Sequence, residues 1–345
     1  MNTLNYIGCK HTLLSCITNL LKEHIPNLDQ CSFMDLFAGT GTVSYGFTGL
    51  AKSIASNDLE YYSFVINNAL IKCNYSDKLQ TAIDTFNQLE PVEGLMYKNY
   101  SPGIGCERLF FTIENAKKCD AIRQRIQSLK ETTDINEQEY YFLLGSLIVS
   151  MDKVANTSCV YGAYLKAFKK SALKPLNLVP IHTKTNIDTD ANVVFNCDAN
   201  TLIDQYYDVV YMDPPYNQRQ YSANYCPLNY LAKYEDVELK GKTGLLTDYN
   251  KSNFCKKTEV LNAFKRVLQF NCKYLVLSYN NEGLLDLDTL RELLLSVGDT
   301  KLFKIPYKKF KAQQTVDGDS VYEYLWIVDK SSSNKPFSFY EEYEV

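Results

Sequence analysis

The segment Tyr207-Asp-Val-Val-Tyr-Met-Asp-Pro-Pro-Tyr216 ends an apolar run in a carboxylate, two prolines and an aromatic ring. Prolines fix φ and carry no N–H, so this rigid turn offers carbonyl acceptors beside the Asp213 carboxylate. Such a pairing suits methylation of an aryl amine, for example the 6-amino group of adenine. The lone pair of that nitrogen is delocalised into the ring, which makes it a poor nucleophile. With one N–H accepted by Asp213 and the other by the Pro214 carbonyl, the nitrogen is drawn toward sp3 geometry and its lone pair turns toward a methyl donor. No covalent enzyme intermediate is needed, because positioning and electrostatics supply most of the rate. Pro215 completes the turn, and Tyr216 presents a flat face on which an extruded base can stack. Standing alone, Asp-Pro-Pro is equally a proline turn capping a strand.

A second constellation lies upstream. Asp35-Leu-Phe-Ala-Gly-Thr-Gly-Thr42 reads as a strand entering a glycine turn and then a helix. Gly39 and Gly41 let the backbone approach a ligand closely or take positive φ. Asp58 lies 19 residues beyond Gly39, at the end of the next expected strand, the spacing at which a carboxylate accepts hydrogen bonds from ribose hydroxyls. Ser44 occupies the place of a third glycine, so the motif suits a nicotinamide enzyme, a methyltransferase or a tight turn with no ligand. Asp198-Ala199, after another short apolar run, offers an acid that either receives the exocyclic amine of a cofactor adenine or caps a helix.

These signals need a scaffold that brings strand ends together. Residues 11–25 carry apolar residues at helical spacing, stopped by Pro26. Strands are expected at 31–37 and near 54–58, then a helix over about 59–72. The alternation lapses from 75 to 188, where helical patterns dominate, the longest at 136–155. It resumes with strands near 192–196, 207–212, 273–279 and 320–328, and helices near 255–268 and 286–296. Strand and helix in alternation predict a doubly wound α/β sheet, whose ligands sit at the carboxyl ends of the strands near the topological switch point. The expected organisation is a Rossmann-like unit, 1–74 with 189–345, carrying an inserted, mostly helical domain at 75–188.

Composition narrows the class. No window approaches the ~18 consecutive apolar residues of a membrane span, and the first ten residues lack a secretory pattern, so the chain reads as soluble and cytoplasmic. The eleven cysteines are scattered singly with no CxxC pair, and only three histidines could join them, which argues against a metal site or a disulfide framework. A net charge of −4 weighs mildly against a nucleic-acid partner unless positive charge is local. Basic residues do interleave with aromatics at 164–174 and at 301–311, the latter including Lys308, Lys309 and Lys311. Each stretch is either a solvated face or part of a DNA-facing cleft.

Three blocks together, Asn5-Tyr-Ile-Gly-Cys-Lys10, Phe37-Ala-Gly-Thr-Gly41 and Asp213-Pro-Pro-Tyr216, resemble the Dam-like class, the alpha group, of N6-adenine-specific DNA methyltransferases. Residues 217–225 and 277–283 are similar to restriction-system methylases of the FokI and NlaIII kind. The resemblance implies a methyltransferase fold that uses S-adenosyl-L-methionine and releases S-adenosyl-L-homocysteine. It implies that Tyr6 and Lys10 close over the cofactor, that Asp35, Phe37 and Gly39 surround its methionine part, that Asp58 is the ribose acid and that Asp198 meets the cofactor adenine. It places a target-recognition domain in 75–188, makes double-stranded DNA the substrate, and implies a cognate restriction endonuclease acting on the same site. The segment 217–250, rich in Tyr, Asn and Gln, suits contacts to DNA, with Arg219, Tyr221 and Asn224 as candidates. Cys9 departs from the small serine or glycine usual in the class. Relatives acting on cytosine amines or protein glutamine tend to carry Ser or Asn at the position of Asp213; an RNA adenine shares the same acceptor chemistry.

Overall fold

In the computed structural model, which describes residues 1–103, 106–307, 321–332 and 336–340, the chain begins by alternating helix and strand: α1 (Leu14–His24), β1 (Ser32–Asp35), α2 (Thr42–Gly46), β2 (Ser53–Asn57) and α3 (Tyr61–Ile71). α1 buries Cys16, Ile17, Leu20 and Leu21, and Ile25 after it is already extended, as a residue preceding proline tends to be. α4 (Asp77–Asn87), α5 (Leu95–Tyr100), α6 (Ile113–Glu131) and α7 (Glu137–Lys153) follow. Ser76 and Thr112 cap α4 and α6, and Asn136 with Glu139 forms a capping box on α7. Residues 154–192 contain neither helix nor strand. Then come β3 (Val193–Phe195), β4 (Tyr207–Met212), α8 (Tyr221–Asn224), α9 (Cys226–Lys233), a small hairpin of β5 (Leu239–Lys240) and β6 (Leu245–Leu246), α10 (Val260–Val267), β7 (Cys272–Asn280), α11 (Leu287–Leu295), β8 (Asp299–Tyr307), β9 (Val321–Asp329) and β10 (Phe337–Tyr340).

The main sheet has the order β3-β2-β1-β4-β7-β9-β8-β10. Its half from β3 to β7 is parallel, whereas β9 runs antiparallel to both β7 and β8. The chain winds outward from β1 in one direction and from β4 in the other, so the switch point lies between these two strands. β1 ends on Asp35, paired with Tyr211 of β4, and Asp213 follows β4 directly. The expected α/β architecture and its expected strands are all present. Two strands were not anticipated, β8 and β10. In β8 the basic residues Lys301 and Lys304 mask the burial of Leu302, Phe303 and Ile305. Residues 301–307 therefore belong to the sheet, flanked by β9 and β10, rather than to a solvated face. Lys308, Lys309 and Lys311 lie outside the described residues.

Both faces of the sheet are covered, as a parallel sheet requires, and the side-chain alternation of each strand sorts its residues between them. Phe33, Val209 and Tyr211 join a cluster that includes α1, α3 and the helices of the insertion. Met34, Val210 and Met212 join another, packed with Phe264 of α10 and Leu290 of α11. The helices between 75 and 153 thus share the core on the α3 face. Gly145 of α7 makes the closest approach there, since a Cβ at that position would stand 2.8 Å from the Ala69 Cβ. Gly145→Leu should destabilise the fold by about 1–3 kcal/mol, the usual cost of overpacking, measurable as a lower midpoint in urea; an unchanged midpoint would show that α7 and α3 are not so tightly apposed.

Candidate active site

The buried stretch Val209–Met212 fixes β4 in the middle of the sheet, and the carboxylate that follows it meets a cation from the far end of the chain. Lys10, in a single 3-10 turn, places its Nζ 2.7 Å from each oxygen of Asp213. The same ammonium donates to the Gly8 carbonyl at 3.2 Å and stands 3.3 Å from Oε1 of Glu323 in β9. Side-chain exposure is 6% for Lys10, 19% for Asp213 and 8% for Glu323, so one cation is buried between two carboxylates. Burial works against the Lys10 charge, but Asp213 and Glu323 outweigh it and hold its pKa well above the ordinary value. Asp213 is pushed up to about 6 by burial, with Lys10 opposing the rise and Glu323 adding to it.

On the other side of the switch point the glycine turn is held by hydrogen bonds. Gly39, at φ +50°, donates its N–H to Asp58 Oδ2 at 2.7 Å, while the Glu60 N–H donates to Asp58 Oδ1 at 2.8 Å. Ser63 Oγ donates to the Gly39 carbonyl. Burial raises the Asp58 pKa against the pull of these backbone donors. Asp35 accepts from the backbone and the hydroxyl of Ser44, both on Oδ2, and burial lifts it to about 7. Asn57 ties the strand ends together by donating to the carbonyls of Leu36 and Cys197. The resulting cleft encloses about 1070 Å³ of empty space and is bordered by Phe37, Asp58, Asp198, Ala199, Asp213 and Phe254 among others.

Aromatic rings form its other wall. Tyr6 stacks on Tyr225 with centroids 4.4 Å apart, tilts against Tyr221 at 5.4 Å, and shares a hydroxyl contact of 2.9 Å with Tyr62. A Cβ on Gly39 would be 3.3 Å from the Tyr6 ring, so Tyr6 lies directly over the turn. Gly8, at φ +78°, faces both Tyr216 and Tyr221: a Cβ there would come within 3.5 Å of one ring and 3.8 Å of the other hydroxyl.

Most of the residues singled out in the sequence converge here. Tyr6, Lys10, Asp35, Phe37, Gly39, Asp58, Asp198, Ala199, Asp213, Pro215, Tyr216 and Tyr221 all border the cleft, and Pro214 lies buried in the turn between them. Asp198 also caps a short 3-10 turn through the Asn200 N–H, so both of its anticipated roles are compatible with its position. Gly41 is a correction. It takes the anticipated positive φ of +70° at the start of α2, but it does not border the cleft, and a Cβ there would run into Leu70 at 2.6 Å and Asn67 at 2.9 Å, so close packing against α3 also requires glycine at this position. Asn224 is a second correction. It is buried, its carbonyl accepts from Tyr161, and its side chain packs toward Gly162, which removes it from a DNA-facing surface. Arg219 is exposed close to the cleft residue Gln220.

Other residues of the site escaped the sequence reading. Glu60 is buried beside Asp58, accepts from Ser222 and from Asn229 at 2.6 Å, and is raised to about 7 by burial. Phe254 meets Phe37 edge-on at 5.0 Å, and Glu323 arrives on β9. Only Glu60 carried a local signal, as an acid two residues beyond Asp58.

The model of the family described as D12 class N6 adenine-specific DNA methyltransferase matches residues 6–293. The chain belongs to that family. Its reaction takes a methyl group from S-adenosylmethionine to an adenine of DNA. The methyltransferase is 44% identical over 340 residues to the type II methyltransferase M.NlaIII of Neisseria lactamica, a match covering 95% of this chain and 100% of that one. It is 40% identical over 333 residues to M.CviAII of Paramecium bursaria Chlorella virus 1, covering 95% and 99%. With M.FokI of Planomicrobium okeanokoites the identity is 36% over 351 residues, covering 95% of this chain and 53% of that protein. Among the described residues of the methyltransferase no helix is long and apolar enough to cross a membrane.

The geometry predicts an unusual pH dependence for a lysine variant. Lys10→Met leaves Asp213 and Glu323 facing each other without a counter-ion, and removing one partner from a buried pair typically costs about 3–5 kcal/mol. The loss should be large at pH 8, where the Asp213 carboxylate is ionised without its counter-ion, and smaller at pH 5.5, where a proton on Asp213 replaces the ammonium. Thermal melts of both proteins at the two pH values test this; a deficit independent of pH would mean that the pair carries no net electrostatic load.

Proposed function

We propose that this cleft methylates an adenine turned out of double-stranded DNA, with Asp213 and the Pro214 carbonyl accepting the two hydrogens of its 6-amino group. The observation that carries the reading is the buried Asp213 carboxylate at the switch point, on a turn whose prolines contribute no donors. Tyr216 and Tyr221, brought together over Gly8, form a slot suited to a flat base. Both oxygens of Asp213 are engaged by Lys10, so an arriving amine replaces the ammonium. The carboxylate then holds the nitrogen with its lone pair exposed beside the aromatic wall.

The residues present fit S-adenosylmethionine, which supplies an electrophilic methyl group on a sulfonium. Asp58, fixed by two backbone N–H groups, retains lone pairs for ribose hydroxyls. Asp198 suits the cofactor's amine, Phe37 and Phe254 its apolar faces, and the Gly39 turn the close approach of its chain. Asp35 and Tyr6 border the same space.

Arg219, exposed beside the cleft residue Gln220, suits a contact to the phosphate backbone, and the 75–188 insertion is our candidate reader of the target sequence. Names such as type II methyltransferase and modification methylase among the relatives support a place in a restriction-modification pair, with an endonuclease cutting the same site. The enzyme then works in the cytoplasm, where its DNA is.

Incubation with tritiated S-adenosylmethionine and duplex DNA, followed by nucleoside analysis, should place label in N6-methyladenine; label on RNA or protein alone would overturn the reading. Asp213→Ala should lower transfer at least about a hundredfold, the scale of losing one polar contact to the reacting group, while cofactor binding by calorimetry survives. Loss of cofactor binding in that variant would remove Asp213 from the amine. Because a protonated carboxyl is a weaker acceptor and carries no negative charge to offset the positive charge that develops on the nitrogen, kcat/KM, which reports the free enzyme, should decline as pH falls through about 6. An acid limb near the ordinary carboxylate range would contradict the burial of Asp213.

A further inference from the structure

Glu323 has no part in the chemistry above, yet it sits where a charge is expensive. It is 6% exposed and stands opposite Asn280 across the antiparallel pair of β9 with β7. One oxygen, Oε1, accepts from the Ser278 hydroxyl and lies 3.3 Å from Lys10 Nζ. Two buried carboxylates around one ammonium leave a net negative charge, an arrangement that costs stability unless every member is used. Lys10 donates to Asp213 and to the Gly8 carbonyl and stands 3.3 Å from Glu323 Oε1 as an ion pair. With its Nζ 2.7 Å from both oxygens of Asp213, Lys10 competes with an incoming amine for the same acceptor lone pairs. An amine that takes the better-placed lone pair pushes the ammonium aside, and a buried ammonium that shifts needs another anion beside it.

We propose that Glu323 is a positioning residue, the anion that retains the Lys10 ammonium when the target amine takes its place on Asp213. The proposal rests on the assignment of Asp213 to the amine. Glu323 lies beneath the site, on the antiparallel part of the sheet, and does not border the cleft. It acts on the base only through Lys10 and through its charge. The remaining ionisable groups facing Asp213 are Tyr211 of β4, Asp35 at the end of β1 and Tyr221 of α8. The tyrosines are held neutral by burial. Asp35, raised to about 7 chiefly by burial, is itself left in place in the variants compared below.

Glu323→Gln keeps the shape and an acceptor for Ser278 but removes the charge. Lys10 is then left with a single anionic partner. The expected result is a fall in kcat of about 10- to 100-fold, the scale of a mispositioned reacting group, with S-adenosylmethionine binding unchanged. The acid limb of kcat/KM should also move to lower pH, because a negative neighbour of Asp213 has gone. Glu323→Asp keeps the charge while drawing it back; its kcat should be intermediate and its acid limb close to that of the unaltered enzyme. A merely structural glutamate would lower the melting temperature in both variants without moving the limb. Wild-type kcat in Glu323→Gln, or a loss of kcat with the acid limb unmoved, overturns the proposal. Should that variant fail to fold, Glu323→Asp decides: unaltered kcat, or a reduced kcat accompanied by a lowered melting temperature, overturns; a reduced kcat with the melting temperature and the limb both unmoved supports. Absence of adenine methylation by the unaltered enzyme would instead sink the assignment of Asp213, so the two failures are told apart.

Discussion

The burial of Lys10 against Asp213 joins residues 203 positions apart in the chain, and much of the site depends on that contact. An ammonium and a carboxylate leave water at considerable cost, which their attraction offsets only when the remaining hydrogen-bonding capacity is filled. Here it is filled by the Gly8 carbonyl and by Glu323, so the N-terminal segment cannot drift from the strand ends without stranding charges. That segment is pinned along its length. Asn2 donates to the Ile181 carbonyl, Asn5 to Asp152, and the Ile7 N–H to the Tyr225 hydroxyl. Tyr6 is thereby pressed over the glycine turn and Gly8 against Tyr216 and Tyr221. One ion pair thus sets both the lid of the cofactor side and the floor of the base slot.

A second chain of contacts joins the two halves from the opposite side. Asp58 holds the Glu60 N–H, and the Glu60 carboxylate holds Ser222 of α8 and Asn229 of α9. Asn229 in turn accepts from the Tyr62 N–H at the start of α3. The acid assigned to the cofactor and the helix carrying Tyr221 therefore share one satisfied polar network, the kind that fixes a unique geometry in a low-dielectric interior. Displacement of α8 would break bonds that Glu60 cannot replace from water.

How legible this was in the sequence follows from the range over which each residue acts. The glycine turn, Asp58 and the Asp213-Pro-Pro-Tyr216 turn announce themselves because each is a local pattern at a strand end. The alternation of strand and helix implied that the site lies at carboxyl strand ends near a switch point; the strand order that puts that point between β1 and β4 came from the structure. Glu323 could not be inferred: it reaches Lys10 through the pairing of β9 with β7, and a buried glutamate on an edge-ward strand looks like any strand acid. Lys301 and Lys304 drew attention to a basic stretch, though it is a strand whose Leu302, Phe303 and Ile305 are buried in the sheet. Asn224 misled for a related reason. Tyr- and Asn-rich composition suggests a polar surface, but α8 and α9 are wedged under the cleft, and their polar groups are bonded inside the protein.

The protonation states favoured by these surroundings explain why the site suits an amine acceptor rather than a covalent route. Nucleophilic catalysis needs a side chain that can shed its proton and attack. Burial, reinforced by neighbouring negative charge, holds Tyr6, Tyr211 and Tyr221 neutral, and the paired carboxylates keep Lys10 charged. Cys9 sits among the hydroxyls of Thr40 and Thr42 at 3.5–3.6 Å. Among the groups at the catalytic turn, Asp213 is the one whose pKa, at about 6, leaves it mostly ionised at neutral pH while Lys10 neutralises it until a better-fitting donor arrives. A carboxylate poised in this way has little power to attack carbon and every capacity to accept N–H hydrogens. The arrangement therefore favours an exocyclic amine, whose reactivity is limited by the delocalisation that such acceptance relieves.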